Sequence, residues 1–254
     1  MHPVEAIVLF CASAVASGIN SVAGGGSLIS YPVLTAGFGI EGRIANATNA
    51  VGLFPGSLAG GLGFGKAHLE KTGIYFRKLL IPTTLGSILG AFLLLNTTET
   101  AFKIIIPFLI LLAALLLWFQ PKVKELLARK EHHVVSPAVG IVLQFLVATY
   151  GGYFGAGMGI MMLACFALYM EGTTHELNAV KSYLGTIINL TCSIVFVIKK
   201  LVLFDIALVL VLGSIVGGFA AARLSLKVDP NKLRVYIAIY GFVMTIYFFT
   251  KIFV

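Results

Sequence analysis

Asn20-Ser21-Val22-Ala23-Gly24-Gly25-Gly26-Ser27 breaks an apolar stretch that runs from residue 6 to residue 40 without an Asp, Glu, Lys or Arg. A second break, Gly151-Gly152-Tyr153-Phe154-Gly155-Ala156-Gly157-Met158-Gly159, lies inside another charge-free stretch, residues 132–170. Glycine costs about 1 kcal/mol per residue in a helix interior, so a cluster of glycines weakens a helix locally. At membrane depth an interrupted helix is tolerated only where it is buried in protein or lines a cavity, because lipid offers nothing to its backbone polar groups. A helix that restarts after such a break points N–H groups and the positive end of its dipole inward. Two such restarts entering from opposite sides would make an anion site, and paired glycine-broken segments in matching places are a sequence pointer to a transport site.

The membrane itself is read from composition. Of 254 residues, 59% are hydrophobic and 11% are charged, and mean hydropathy is +1.00. A soluble domain carries roughly 25% charged residues. So few charges cannot coat a water-facing surface, which excludes a soluble enzyme, a disordered chain and a DNA-binding domain. The charges divide the chain into charge-free stretches at 6–40, 44–65, 79–98, 104–121, 132–170, 182–198, 206–222 and 235–250. A spanning helix needs about 20 apolar residues. The two long stretches hold two segments each and the others one, which predicts an all-α polytopic protein of about ten transmembrane segments, or eight spans plus two re-entrant pairs. Ala12-Ser13-Ala14 resembles a signal cleavage site, but the basic n-region is missing and the first helix is expected to be retained.

The order long, short, short, short occurs twice, which suggests duplication. Leu85-Gly86-Ser87-Ile88-Leu89-Gly90-Ala91-Phe92 agrees with Leu212-Gly213-Ser214-Ile215-Val216-Gly217-Gly218-Phe219 at six of eight positions, and Asn46-Ala47 corresponds to Asn178-Ala179. The predicted organisation is a first repeat over 1–119, a linker over 120–135 and a second repeat over 136–254. Lys66, Lys71, Arg77, Lys78, Lys122, Lys124, Arg129, Lys130, Lys181, Arg223, Lys227, Lys232 and Arg234 fall on one side of that topology, most of the 18 basic residues. Basic loops face the cytoplasm, so the linker is expected there and both termini outside. The net charge of +8 thus sets orientation and does not imply nucleic acid. Five segments per half make the second half enter upside down, and inverted repeats place a transporter's substrate site at their interface near the midplane.

The polar residues that could face a substrate follow the breaks. Asn46 and Asn49 share one helical face, as do Asn178 and Lys181, and by the repeat offset Asn49 aligns with Lys181. An ionisable group at membrane depth is a functional hypothesis by default, although Lys181 could equally mark a helix end and snorkel. Asn46 and Asn178 could serve as helix caps. Asn20, Ser27, Ser57 and Asn189 are also explained by hydrogen bonding between helices, and Gly56/Gly60, Gly86/Gly90 and Gly213/Gly217 by close packing. The predicted substrate-binding set is Asn20, Gly24, Gly25, Gly26, Ser27, Asn46, Thr48, Asn49, Gly155, Gly157, Gly159, Asn178, Lys181 and Asn189.

No catalytic residue, metal site or cofactor is expected. Cys11, Cys165 and Cys192 have unrelated spacings, and no Gly-x-Ser-x-Gly, His-Glu-x-x-His or Walker A sequence occurs. The spanning stretches contain no acidic residue, which argues against a carboxylate proton relay deep in the membrane, while Glu41, Glu171, Glu176 and Asp205 stand at their edges. An inside-negative potential favours anion exit by about 2.3 kcal/mol per charge per 100 mV. Export therefore needs no coupling ion, and uptake would.

Ala23-Gly24-Gly25-Gly26-Ser27-Leu28-Ile29-Ser30, then Pro32-Val33-Leu34, Ala47-Thr48-Asn49 and Gly52, resembles the TauE/SafE sulfite and sulfonate exporter family. The second glycine cluster and Asn178-Ala179-Val180-Lys181 look like its repeated motif, and the resemblance covers nearly the whole chain. The second half has Met161-Met162-Leu163-Ala164 where a proline follows the first glycine run. The resemblance implies a bacterial or archaeal inner-membrane transporter of small sulfur-containing anions (sulfite, sulfoacetate or other organosulfonates), working by alternating access. Its partners would be the small anion and the lipid bilayer, with a homodimer as an option. A proton- or sodium-coupled importer and an anion channel are the alternative readings.

Overall fold

A computed structural model describes residues 2–128, 136–224 and 230–253, and these contain helices and no strand. In chain order the helices are α1 (Pro3–Val22), α2 (Ser27–Pro32), which continues as a π-turn (Val33–Gly37), α3 (Gly42–Phe64), α4 (Lys66–Asn96), α5 (Glu99–Ala128), α6 (Pro137–Tyr153), α7 (Met158–Tyr169), α8 (Thr174–Ile198), α9 (Phe204–Leu224) and α10 (Pro230–Phe253).

Both charge-free long stretches divide where the glycines stand. α1 ends with Ala23 and Gly24 both donating their N–H to Ile19 O, and α6 ends with Phe154 and Gly155 both donating to Tyr150 O. The closing residue has φ +74° at Gly24 and +81° at Gly155. Only glycine reaches that left-handed region without a penalty from its side chain.

Among the described residues, six helices are long and apolar enough to cross a membrane: Pro3–Val22, Gly73–Asn96, Glu99–Lys122, His175–Ile198, Phe204–Leu224 and Arg234–Ile252. The α3 helix has 23 residues but is rich in Gly, with two Asn, and is largely buried. The segments after the breaks differ from full spans. With 12 residues α7 is about 18 Å long, and α2 with its π-turn is shorter, against a hydrocarbon core of about 30 Å. Each is too short to cross, and each follows a longer helix, of 20 residues in α1 and 17 in α6.

Every main packing pair has a counterpart five helices on. α1 lies on α9 as α6 lies on α4, α3 on α9 as α8 on α4, and α2 on α10 as α7 on α5. The pairs α3–α8 and α5–α10 map onto themselves. The repeated Leu-Gly-Ser-Ile sequence makes two of these contacts. A Cβ on Gly86 would strike Phe145 O and one on Gly90 would strike Thr149 O, both on α6; on Gly213 and Gly217 it would strike Phe10 O and Ala14 O of α1. Leu85, Leu89 and Phe92, like Leu212, Val216 and Phe219, face outward and are exposed, as suits lipid-facing positions. Packing accounts for these glycines, and the Ala12–Ala14 segment is a built-in part of the bundle.

The linker predicted over 120–135 begins inside α5, which extends to Ala128; residues 129–135, with Arg129, Lys130 and the His132-His133 pair, lie outside the described residues, as does Lys227. Lys181 is not a loop residue. It stands in α8, about 10 Å along the helix from Thr174, and therefore does not mark a membrane side.

Candidate functional site

The two glycine breaks touch. A Cβ on Gly24 would stand 2.9 Å from the carbonyl carbon of Gly159, and one on Gly159 would stand 3.1 Å from Gly24 Cα and 3.2 Å from Cδ of Lys181. Backbones from the two halves can approach this closely only where neither residue has a side chain. The stem of Lys181 lies against the crossing.

Lys181 is 2% exposed. Its ammonium donates to Asn20 O (2.9 Å), Ser21 O (2.9 Å) and Asn178 Oδ1 (2.8 Å). An ammonium has three N–H donors, so these oxygens engage all of them. Asn20 O and Ser21 O belong to the last turn of α1, where carbonyls lack helical partners and the dipole end is negative. Lys181 thus caps the first half's broken helix from the second half. Asn178, three residues earlier on the same face, accepts the ammonium's third hydrogen bond.

The opposite arrangement occurs on α3. Asn46 Nδ2 donates to Tyr153 O, at the last turn of α6, over 2.9 Å. The first half thus caps the second half's broken helix, with a neutral amide in place of the ammonium. Within the second half, Tyr150 also holds its own break by donating from its hydroxyl to Ala156 O.

Beside the crossing is a small cavity lined by Ser27, Asn46, Asn49, Asn189, Phe154 and Cys192, with Gly151 and Gly152 behind. Its free volume is about 10 Å3, the room that one water molecule needs. Asn49 is buried, and its Oδ1 has no hydrogen-bond partner. A buried amide oxygen left so costs about 1–3 kcal/mol, which makes this the one unsatisfied side-chain group pointing at a polar cavity near the breaks, among the described residues.

The predicted set therefore separates into groups. Ser27, Asn46, Asn49 and Asn189 line the cavity together. Asn20, Gly24, Gly25, Gly159, Asn178 and Lys181 form the crossing beside it, with Gly25 donating its N–H to Asn20 Oδ1 over 3.4 Å. Gly26 packs on Ala16 O, Gly155 on Gly151 O and Gly157 on Ala113 of α5, so these three shape the turns. Thr48 is elsewhere: its hydroxyl accepts from Leu203 N and fixes the approach to α9. Backbone N–H groups around the breaks are largely turned inward on the chain, since those of Gly24, Leu28, Ile29 and Ile160 meet backbone carbonyls. The side-chain amides, more than the backbone, face the cavity.

Phe154, Cys192 and the carbonyl of Tyr153 were not legible as site members. Phe154 and Tyr153 sit inside the quoted glycine break, but an aromatic residue there reads as bulk hydrophobicity. Cys192 follows Asn189 by one turn of α8, and the helical period from Asn178 and Lys181 could have pointed to that stretch.

The family model for the sulfite exporter TauE/SafE matches residues 9–248. The chain belongs to the TauE/SafE family. As a member it is a multi-pass membrane transporter, and the breaks, the crossing and the cavity all fall inside the matched region. A Haemophilus influenzae relative named "Probable membrane transporter protein" is 31% identical over 242 residues, covering 94% of this chain and 92% of that protein. The Escherichia coli K12 relative, "Probable membrane transporter protein YfcA", is 26% identical over 239 residues, 94% of this chain and 87% of that one. A Sinorhizobium relative, "Probable membrane transporter protein ORF9", is 26% identical over 245 residues, with 94% and 90% covered. No solved structure matches the chain.

Proposed function

We propose that this TauE/SafE member is a secondary transporter that exports small sulfur-containing anions, sulfite, sulfoacetate or other organosulfonates, from the cytoplasm by alternating access. The observation that carries the reading is the contact of the two glycine breaks at Gly24 and Gly159, beside a buried polar cavity that Ser27 and Asn46 of one half share with Asn189 of the other. The paired packing of helices five apart supports two inverted repeats that rock against each other about this point.

Asn49 and Asn189 supply amide N–H donors to the anion and Ser27 a hydroxyl. Rotation of the Asn49 side chain exchanges its unpartnered oxygen for the amide nitrogen, which an anion would select. Lys181 lends positive potential while its hydrogen bonds hold the end of α1, a positioning role. A cavity of about 10 Å3 cannot hold an oxyanion, so this conformation is closed around the cavity and binding requires the halves to part. The acidic residues Glu5, Glu99, Glu176 and Asp205 all lie in the first turns of their helices. Membrane potential alone then drives exit. The orientation that agrees is a bacterial inner membrane with the linker cytoplasmic and both termini outside.

The test is flux of sulfite, sulfate, sulfoacetate, taurine and acetate in proteoliposomes with an imposed potential. Saturable movement of sulfite or sulfoacetate driven by potential alone is expected. A requirement for a proton or sodium gradient would replace export by coupled uptake, and non-saturating flux with single-channel currents would replace the transporter by a channel.

A further inference from the structure

A second and larger space lies off the crossing. It is a cleft of about 390 Å3 between α2 and its π-turn, the start of α3, α5 and the end of α10. That volume falls within the usual range for small-molecule sites. Its walls carry Glu41, Glu99, Lys103 and Lys251. The two carboxylates already have partners. Glu41 pairs with Arg43 at 3.3 Å and Glu99 with the same guanidinium at 3.4 Å. Glu99 also accepts from the N–H groups of Gly42 and Arg43, at the positive end of α3. Lys103 and Lys251 make no hydrogen bond or ion pair with any described residue. The cleft therefore offers two unmatched ammonium groups, with Ile106 and Phe248 as apolar wall between the helices that carry them.

One layer of rings divides this cleft from the polar cavity. Tyr31 lines the cleft and Phe154 the cavity. They meet edge to face, with centroids 5.3 Å apart and planes at 82°. Phe248 backs Tyr31 from the cleft side at 6.0 Å. Both rings sit on interrupted backbone, Tyr31 in α2 just ahead of the π-turn and Phe154 just ahead of the left-handed Gly155.

We infer that this cleft is a second binding site for a small organic anion, holding its charge on Lys103 and Lys251 and its carbon part on Ile106 and Phe248, with Tyr31 and Phe154 as the gate between it and the central cavity. The inference rests on the proposed transport reading for its direction: on the proposed orientation the cleft opens outward and is where an exported anion stands last. The size of the cleft suits an organosulfonate better than bare sulfite.

Equilibrium binding of labelled sulfoacetate to the purified full-length protein in detergent tests the site without flux. The wild-type protein is expected to show a component that weakens at least tenfold in Lys103→Gln/Lys251→Gln, whose exposed side chains leave the melting temperature in place. Equal binding by that variant, or no binding to the wild-type protein, overturns the site. Displacement by phosphatidylglycerol with no response to sulfoacetate assigns the lysines to a lipid headgroup and overturns it too. If binding behaves as expected but no anion moves in proteoliposomes, the transport reading fails and the site stands. The gate has its own reporter, since Cys192 lines the inner cavity. In a Cys11→Ala/Cys165→Ala background, a charged methanethiosulfonate should modify Cys192 at least tenfold faster when Tyr31 is replaced by Leu. An unchanged rate, with the folded protein confirmed by its melting curve, removes the gate.

Discussion

The two helix breaks close with the same backbone hydrogen bonds, yet they are held by different chemistry. The first, at Ala23–Gly26, is capped from the other half of the chain by the Lys181 ammonium with Asn178 beside it. The second, at Phe154–Gly157, is capped by the Asn46 amide and by Tyr150 of its own half. Matching backbone geometry at the two breaks is thus held by unlike capping side chains. The difference places a single positive charge on one side of an otherwise paired crossing, so that an anion at the centre would meet two unlike faces.

That asymmetry can be broken at several strengths. Gly24→Ala should have the largest effect, because the new Cβ adds a left-handed strain of about 1–2 kcal/mol to a collision with Gly159 that has no flexible atom to yield. Gly155→Ala carries the strain but lacks a collision with the other half. Thermal melting in detergent should put Gly24→Ala at least about 2 kcal/mol below Gly155→Ala, and equal losses would show that the crossing does not matter. Next comes Lys181→Met, which removes the donor to Asn20 O, Ser21 O and Asn178 Oδ1. A destabilisation of about 2–4 kcal/mol is expected from such losses, together with a drop in anion flux, and Lys181→Arg should recover part of both.

Asn46→Ala should cost less, about 1–2 kcal/mol, since a single carbonyl loses a neutral donor. If denaturant melts place it level with Lys181→Met, charge is not what distinguishes the two caps. Tyr150→Phe should be the mildest, about 1 kcal/mol, with flux retained; it would sharpen the comparison by showing that the second break is held in parallel by two weak contacts.

Much of the architecture was readable because charge is so scarce. Each short gap between charged residues falls on one helix, though α4, α5 and α8 run well beyond theirs, and the two breaks appear at the glycine runs. The Gly86/Gly90 and Gly213/Gly217 pairs were readable as packing because small residues at helical spacing have one common use. Two things were hidden. Full spans and re-entrant pairs could not be told apart for α2 and α7, since apolar residues continue past the point where each chain segment turns. The partners of Lys181 were not visible either, since they are backbone carbonyls of α1, and a carbonyl carries no sequence signature. Asn46 and Asn178 do not cap their own helices, whose N-caps are Glu41 and Thr173; Asn46 caps the end of α6 instead, and Asn178 accepts from Lys181. Thr48 looked like part of an Asn-Ala-Thr-Asn cluster, and the helix turned it toward Leu203 instead.

The reciprocal capping has a consequence for how the chain is made. The end of α1 emerges from the ribosome long before its cap, because Lys181 lies far downstream. At about 5–20 residues per second the wait is on the order of 10–30 s. During that interval the first half sits in the bilayer with the last carbonyls of α1 open. The two halves then complete each other in a single late event, so chains severed in the linker and co-expressed as two pieces should assemble where either piece alone is degraded.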